Sequence, residues 1–353
     1  MNILVVSLNF NPGHFSHLGA NYKLLIDAGS TPYLYINRLF NRMDKSDWFE
    51  KINSGDGLKN LKNIDAAVFW FPSLRNIFEI IRLKMFYRSK VIYIYHEPFD
   101  SIQNYYKSGF GFKKIAKIWL INLVNIPVIF LSDSIVLPST SSFNLYKKKY
   151  TSLNKKYSLI PLIFDDEATA DVVEVKKFIS YIGTVAADHA FDRFVDFVAM
   201  AIDKQWFPDM TFLVATSSRI PAREKAILEP HLKSGKVVVS EGYPMTNEEI
   251  NCHYRGSLIV WNAYNRSMQS GVLPKAYMFG AAVIVLSRNA NEFVENHKTG
   301  VLIEDNNDMV KIKEAMEEII IDMDYFSLNC RRKFLEVFYY KNRIAEFMNL
   351  LKS

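Results

Sequence analysis

The feature that most constrains this chain is an alternation of short, β-rich apolar runs with helix-periodic segments. Ile3 to Leu8, Ala66 to Phe71, Lys90 to Tyr95 and Asp133 to Leu137 form one series. Such a rhythm builds a parallel sheet, because parallel neighbours need a crossover long enough to hold a helix. A second series follows: Phe178 to Ile182, Thr211 to Ala215, Lys236 to Val239, Leu258 to Trp261 and Ala282 to Leu286. These runs are continuously apolar, as strands buried on both faces must be. The chain therefore reads as an α/β protein of two consecutive doubly wound, Rossmann-like domains facing one another across a cleft.

Leu159 to Phe164, followed by the acidic, small-residue stretch Asp165 to Glu174, parts the two series. The expected division is 1–165, 166–335 and a closing helical segment, 336–353, able to return to the N-terminal lobe. The 353 residues are 49% apolar with only 14 Gly and 12 Pro, which excludes collagen-like and disordered classes. A formal charge of +6 favours anionic partners, whether nucleotides, lipid phosphates or nucleic acid. The two cysteines, Cys252 and Cys330, have neither disulfide-framework nor zinc-ligand spacing, and a reducing, cytoplasmic setting is expected. The N-terminus lacks a basic region and long apolar core of a signal peptide, and Met1 to Asn9 reads as a buried strand. Ile118 to Leu131 is too short for a bilayer span and is broken by Asn122, Asn125 and Pro127.

Ligands of open α/β sheets bind at the carboxyl ends of the strands. That rule selects four loops. After the first strand, Gly13 and His14 precede a helix, where backbone N–H groups can approach an anion or sugar. After the third, His96, Glu97 and Asp100 supply groups able to hold a hydroxyl or move a proton; a capping Asp100 and a structural His96 are the bland alternative. In the second half, Gly183, Thr184 and His189 follow a strand, and Tyr243 follows another with a ring on which a base can stack. The strongest segment runs from Asn262 to Gly280. Its polar loop precedes a short helix beginning near Gly271 and ending at Gly280, so Gln269, Ser270, Gly271 and Val272 crowd a helix start beside Arg266 and Lys275. A diphosphate suits that set better than a neutral ligand. No metal-ligating cluster is recognisable. The basic and aromatic runs Tyr105 to Lys117 and Tyr146 to Tyr157 suit an anionic membrane surface, with a plainly solvated face as the alternative. No RNA-binding or helix-turn-helix signature supports nucleic acid.

Tyr181-Ile182-Gly183, Gly271 to Gly280, Ala281 to Ile284 and Asn296 to Ile303, together with Leu137-Pro138-Ser139 and Ile160-Pro161, resemble in order and spacing the GT-B glycosyltransferases, particularly the bacterial family 4 (group 1) transferases of surface polysaccharides. The resemblance implies hexosyl transfer from a nucleotide-diphosphate sugar to a lipid-linked or polysaccharide acceptor, without a bound metal or other cofactor. It implies a C-terminal lobe holding the donor, an N-terminal lobe presenting the acceptor, His96 on the transferred sugar, and Glu97, Asp100 or His14 as base. The chain also departs from the pattern. Thr184 and His189 stand where many members carry Arg and Lys, and Ser267 and Lys275 stand where they carry two glutamates. A catalytically silent GT-B-like subunit that binds a partner or membrane is the alternative.

Overall fold

The computed structural model describes residues 1–352 except 11, 44–48, 55–57, 59–60, 62, 71, 169–174, 269 and 290–291. It divides into two compact units, one of Met1–Lys107, Gly111–Asp165 and Phe338–Ser353, the other of Ser108–Phe110 and Asp166–Val337.

The first unit contains strands β1 (Asn2–Ser7), β2 (Thr31–Ile36), β3 (Lys51–Asn53), β4 (Ala66–Trp70), β5 (Lys90–Ile94), β6 (Ser134–Leu137) and β7 (Lys156–Leu159). They form a wholly parallel sheet in the order β3-β2-β1-β4-β5-β6-β7. Its helices are α1 (Phe15–Asp27), α2 (Leu74–Arg82), α3 (Ile102–Lys107), α4 (Phe112–Leu131) and α5 (Thr140–Tyr150). The central strands β1 and β4 have every interior side chain buried, each fully buried aliphatic contributing about 1.5–3 kcal/mol. The edge strands β3 and β7 are short, polar and partly exposed, which is why hydropathy alone does not find them. Ser139 caps α5 through a reciprocal box with Ser142.

The second unit contains β8 (Phe178–Ile182), β9 (Thr211–Thr216), β10 (Val237–Glu241), β11 (Ser257–Asn262), β12 (Ala282–Leu286) and β13 (Gly300–Ile303), again all parallel, in the order β10-β9-β8-β11-β12-β13. Its helices are α6 (Phe191–Asp203), α7 (Ala222–Leu232), α8 (Asn247–Arg255), α9 (Val272–Met278), α10 (Met309–Ile321) and α11 (Met323–Lys333). After α11 the chain re-enters the first unit. Phe164 and Tyr339 form a parallel bridge, and Phe164 N–H donates to the Phe338 carbonyl at 2.9 Å. The last helix, α12 (Ile344–Lys352), packs on α1, and Lys90 Nζ donates to the Leu350 carbonyl at 2.9 Å. Both sheets are doubly wound with all their strands parallel, as the alternation predicts.

One expectation needs correction. α4 begins six residues before the apolar run, spans 20 residues, and carries an 18-residue window of mean hydropathy 1.6. By length and composition it is able to cross a bilayer. Here it packs on α2 and α3 instead, between β5 and β6, which are neighbours in one sheet.

Candidate functional site

The strand orders locate the sites before any side chain is considered. In the second sheet the chain winds from β8 through β9 to β10 in one direction and from β11 through β12 to β13 in the other. The switch point lies between β8 and β11, where the loops diverge and leave room for a ligand.

The loop after β8 starts at Gly183, whose φ of +143° is open to glycine and strained for other residues. Gly183 N–H donates to the Ala215 carbonyl at 3.0 Å, while the Thr184 carbonyl accepts from the Tyr181 hydroxyl at 2.7 Å and contacts His189 Nδ1 at 2.9 Å. The His189 ring stacks on Tyr264 of the loop after β11, with centroids 4.3 Å apart and planes within 6°. Further bonds join the two loops: Asn265 Nδ2 donates to the Ala187 carbonyl at 3.1 Å and Arg266 N–H to the Asp188 carbonyl at 3.3 Å. Asn306, after β13, donates to the Ala263 carbonyl at 2.9 Å. The structure thus gathers Gly183, Thr184, His189 and Arg266 with the segment entering α9, where Gly271 is the N-cap residue and Val272 N–H donates to Ser270 Oγ at 3.1 Å. Gly183 also lies under Val272, since a Cβ there would sit 3.7 Å from Val272 Cγ2. Burial, then the neighbouring Asp188, pushes the Tyr264 hydroxyl well above its ordinary pKa, keeping it a neutral platform under His189.

Three residues expected in this site fall differently. Lys275 lies within α9 with its ammonium buried, 2.7 Å from Glu167 Oε2, and it donates to Asn251 Oδ1 at 2.8 Å and Asn247 Oδ1 at 3.3 Å. Its charge is committed to an internal ion pair, so the diphosphate role assigned to it is corrected to holding α9 on α8. Tyr243 follows the edge strand β10, two strands from β8, with its ring half exposed and its hydroxyl 3.0 Å from Ser240 Oγ; the structure does not bring it to the switch point. Gln269 lies outside the described residues.

In the first sheet the winding reverses between β1 and β4. Gly13 is exposed and His14 buried in the loop after β1. Asn9 Nδ2 ties that loop to the one after β4 by donating to the Pro72 carbonyl at 3.0 Å. His17, on the first turn of α1, fixes its ring with Nδ1 3.1 Å from the Ile163 carbonyl, stacks 5.3 Å from Trp70 and lies 6.4 Å from His96. Donation through Nδ1 leaves Nε2 of the neutral ring as an acceptor. Sequence reasoning passed over His17 and Trp70; the available signal was the three-residue spacing from His14 to His17 and a Trp ending a strand at the switch point.

Burial, followed by the proximity of His96 and His17, holds His14 well below the usual imidazole range. Burial lowers His96 to about 4. Both rings are neutral at pH 7, suited to hydrogen-bonding a hydroxyl; a strong general base would titrate nearer neutrality. Asp100 proves to be a helix-start residue. Its carboxylate accepts from Ser101 N–H at 2.7 Å and Asn104 Nδ2 at 2.9 Å, and its backbone N–H donates to the Tyr105 hydroxyl at 3.1 Å. These bonds replace the base role expected of it with a capping one. Glu97 is the exposed carboxylate of the same loop.

No protein-family model matches the chain, and no curated protein matches it in sequence. Solved structures do match over the full length. Sucrose-phosphate synthase from Thermosynechococcus elongatus superposes with a TM-score of 0.71 at 12% identity, covering 99% of this chain and 98% of that one. HepE of Anabaena in complex with UDP-glucose gives 0.68 at 11% identity, covering 99% and 100%. WaaG, a glycosyltransferase involved in lipopolysaccharide biosynthesis, gives 0.64 at 12% identity, covering 99% of both. The fold is GT-B. At these identities the GT-B likeness speaks for the architecture, and the chemistry has to come from the loops.

Proposed function

We propose that this protein is a glycosyltransferase that moves a hexosyl group from a nucleotide-diphosphate sugar to a glycan or lipid-linked glycan acceptor of the bacterial surface, acting in the cytoplasm. The observation that carries the proposal is the β8/β11 switch point. There a glycine at φ +143° and the Ser270–Val272 entry to α9 lie together beside Arg266, in a fold shared along its whole length with glycosyltransferases. The second unit would hold the donor, the backbone near Gly183, Thr184, Ser270, Gly271 and Val272 lying along the diphosphate and Arg266 supplying charge. Stabilisation of the leaving diphosphate by N–H groups and a guanidinium lowers the barrier to breaking the anomeric C–O bond, and no metal is then required. In the first unit, neutral His96 and His14 hydrogen-bond sugar hydroxyls, and Glu97 is the candidate base should the anomeric centre invert.

A thermal-shift screen with UDP, GDP, dTDP, CMP and ADP, with and without EDTA, tests this, because a ligand of the native state raises its apparent stability. Stabilisation by one diphosphate that survives EDTA, then sugar release from the corresponding donor, is the expected result. Absence of any shift would remove the donor site. A second reading, a silent GT-B-like subunit, is favoured by Thr184, His189 and the internal pairing of Lys275, which leave few cations at the switch point. Binding without turnover of any sugar nucleotide would select it.

A further inference from the structure

α4 exposes far more apolar side chain than it buries. Its inward face sets two asparagines beside the core residues Val128 and Ile129: Asn125 accepts from the Tyr93 hydroxyl at 2.7 Å, and Asn122 accepts from the hydroxyls of Tyr150 and Tyr95. Its outward face is apolar. Phe112 (83% exposed), Trp119 (46%), Leu123, Ile126 and Phe130 (62%) recur at spacings of seven, four, three and four residues, which is one stripe of a helix. α2, packed against α4, does the same. Leu74, Phe78 (72%) and Ile81, joined by Met85 and Phe86 (75%) of the π-helical turn Leu83–Tyr87, form a second exposed stripe, while Asn76 is buried beneath. Two adjoining apolar stripes make a surface that monomeric soluble proteins rarely leave to water.

The charges on the two segments that carry it are almost all of one sign, with Lys84 paired to Asp133 at 2.8 Å. Residues 74–88 and 102–131 contain Arg75, Arg82, Lys84, Arg88, Lys107, Lys113, Lys114 and Lys117 but a single carboxylate, Glu79. Glu79 is itself engaged by the Tyr35 hydroxyl at 3.1 Å and by Arg82 at 3.6 Å. A partner complementary to this face is apolar at its centre and anionic at its rim. We propose that the α2–α4 face docks on the interface of a bilayer containing anionic lipid, with both helices lying in the membrane plane, their aromatic and aliphatic side chains among the acyl chains and the lysines at the phosphates. α4 therefore binds the membrane without crossing it, because its asparagines are needed by the sheet tyrosines. The docking needs no donor nucleotide, so its success or failure is separable from that of the proposed transferase reaction.

Flotation of the full chain with vesicles of phosphatidylcholine alone, or with about a third phosphatidylglycerol, tests this. The protein is expected to float with the anionic vesicles, with a blue shift in tryptophan emission that the Trp119→Phe variant loses. Phe78→Glu/Phe86→Glu/Phe130→Glu should lower the partition coefficient at least ~10-fold. Circular dichroism and the melting temperature show whether this variant is folded, and Lys113→Gln/Lys117→Gln, which alters exposed side chains alone, should weaken anionic-vesicle binding by roughly 5-fold. The proposal is overturned if wild type stays with the soluble fraction, if it binds neutral and anionic vesicles equally, or if folded triple-Glu protein floats as well as wild type. It is equally overturned if light scattering shows a dimer that the triple-Glu change dissociates while no vesicles are bound.

Discussion

Replacing Lys275 by Met should damage stability far more than nucleotide binding. The Lys275 ammonium and the Glu167 carboxylate are 2.7 Å apart, with side chains 7% and 17% exposed. At an effective dielectric near 20, charges at that distance attract by about 6 kcal/mol, most of it offset by the cost of taking both ions out of water. The intact pair is therefore worth little net, but the single variant strands Glu167 among Asn247 and Asn251, whose amides also donate to it. An uncompensated buried charge costs about 3–5 kcal/mol, or a fall in melting temperature of roughly 10 °C. In wild type, burial pushes the Glu167 carboxyl up but Lys275 and its hydrogen bonds outweigh this and hold it below its usual value. Without Lys275 the burial penalty outweighs the two amide hydrogen bonds that remain, and the folded-state pKa lies above the unfolded one. The deficit is then greatest above that raised pKa and shrinks as the pH falls through it toward the ordinary glutamate range, where Glu167 accepts a proton in both states. Lys275→Met/Glu167→Gln should regain most of the stability. Differential scanning fluorimetry across pH, with calorimetric titration of the stabilising nucleotide, checks both halves. A single variant that melts like wild type, or a well-folded double variant that loses nucleotide affinity more than ~10-fold, would refute the assignment.

Other consequences follow from the same geometry. His96 is lowered to about 4 from an unfolded value of 6.5, so the unfolded chain binds more protons between those values and stability falls as the pH drops through that window, by at most about 3 kcal/mol; His96→Gln should flatten the acid limb of a melting-temperature profile. Gly280 has φ +65°, and a Cβ there would lie 2.4 Å from Ser327 Oγ, so Gly280→Ala should cost about 1–3 kcal/mol in denaturant titration. Asn125→Leu leaves the buried Tyr93 hydroxyl without its acceptor and should cost about 1–3 kcal/mol, with Asn125→Leu/Tyr93→Phe recovering most of the loss in the same assay.

Local pattern alone determined much of this protein. Interior strands such as Ala66–Trp70 and Ala282–Leu286 are buried on both faces and must be continuously apolar, so they are visible in the sequence as uninterrupted runs. The glycine closing α9 was legible too, because its positive φ is a backbone demand that one residue type meets cheaply. Strands β2, β3 and β7 were not, since Pro32 or polar edge residues erase the run. What lay beyond the sequence was every pairing between distant segments. Lys275 could not be assigned until Glu167, 108 residues away, was found beside it. Asp100 and Glu97 differ in role because Asp100 is buried with its carboxylate on Ser101 and Asn104 while Glu97 is an exposed residue. The asparagines of α4, which in sequence merely interrupt an apolar run, decide which way the helix faces because tyrosines of β5 and α5 wait beneath them. Periodicity depends on neighbours three or four residues apart and is written locally; the direction a buried charge or amide must point depends on where its partner lies, and only the tertiary structure sets that.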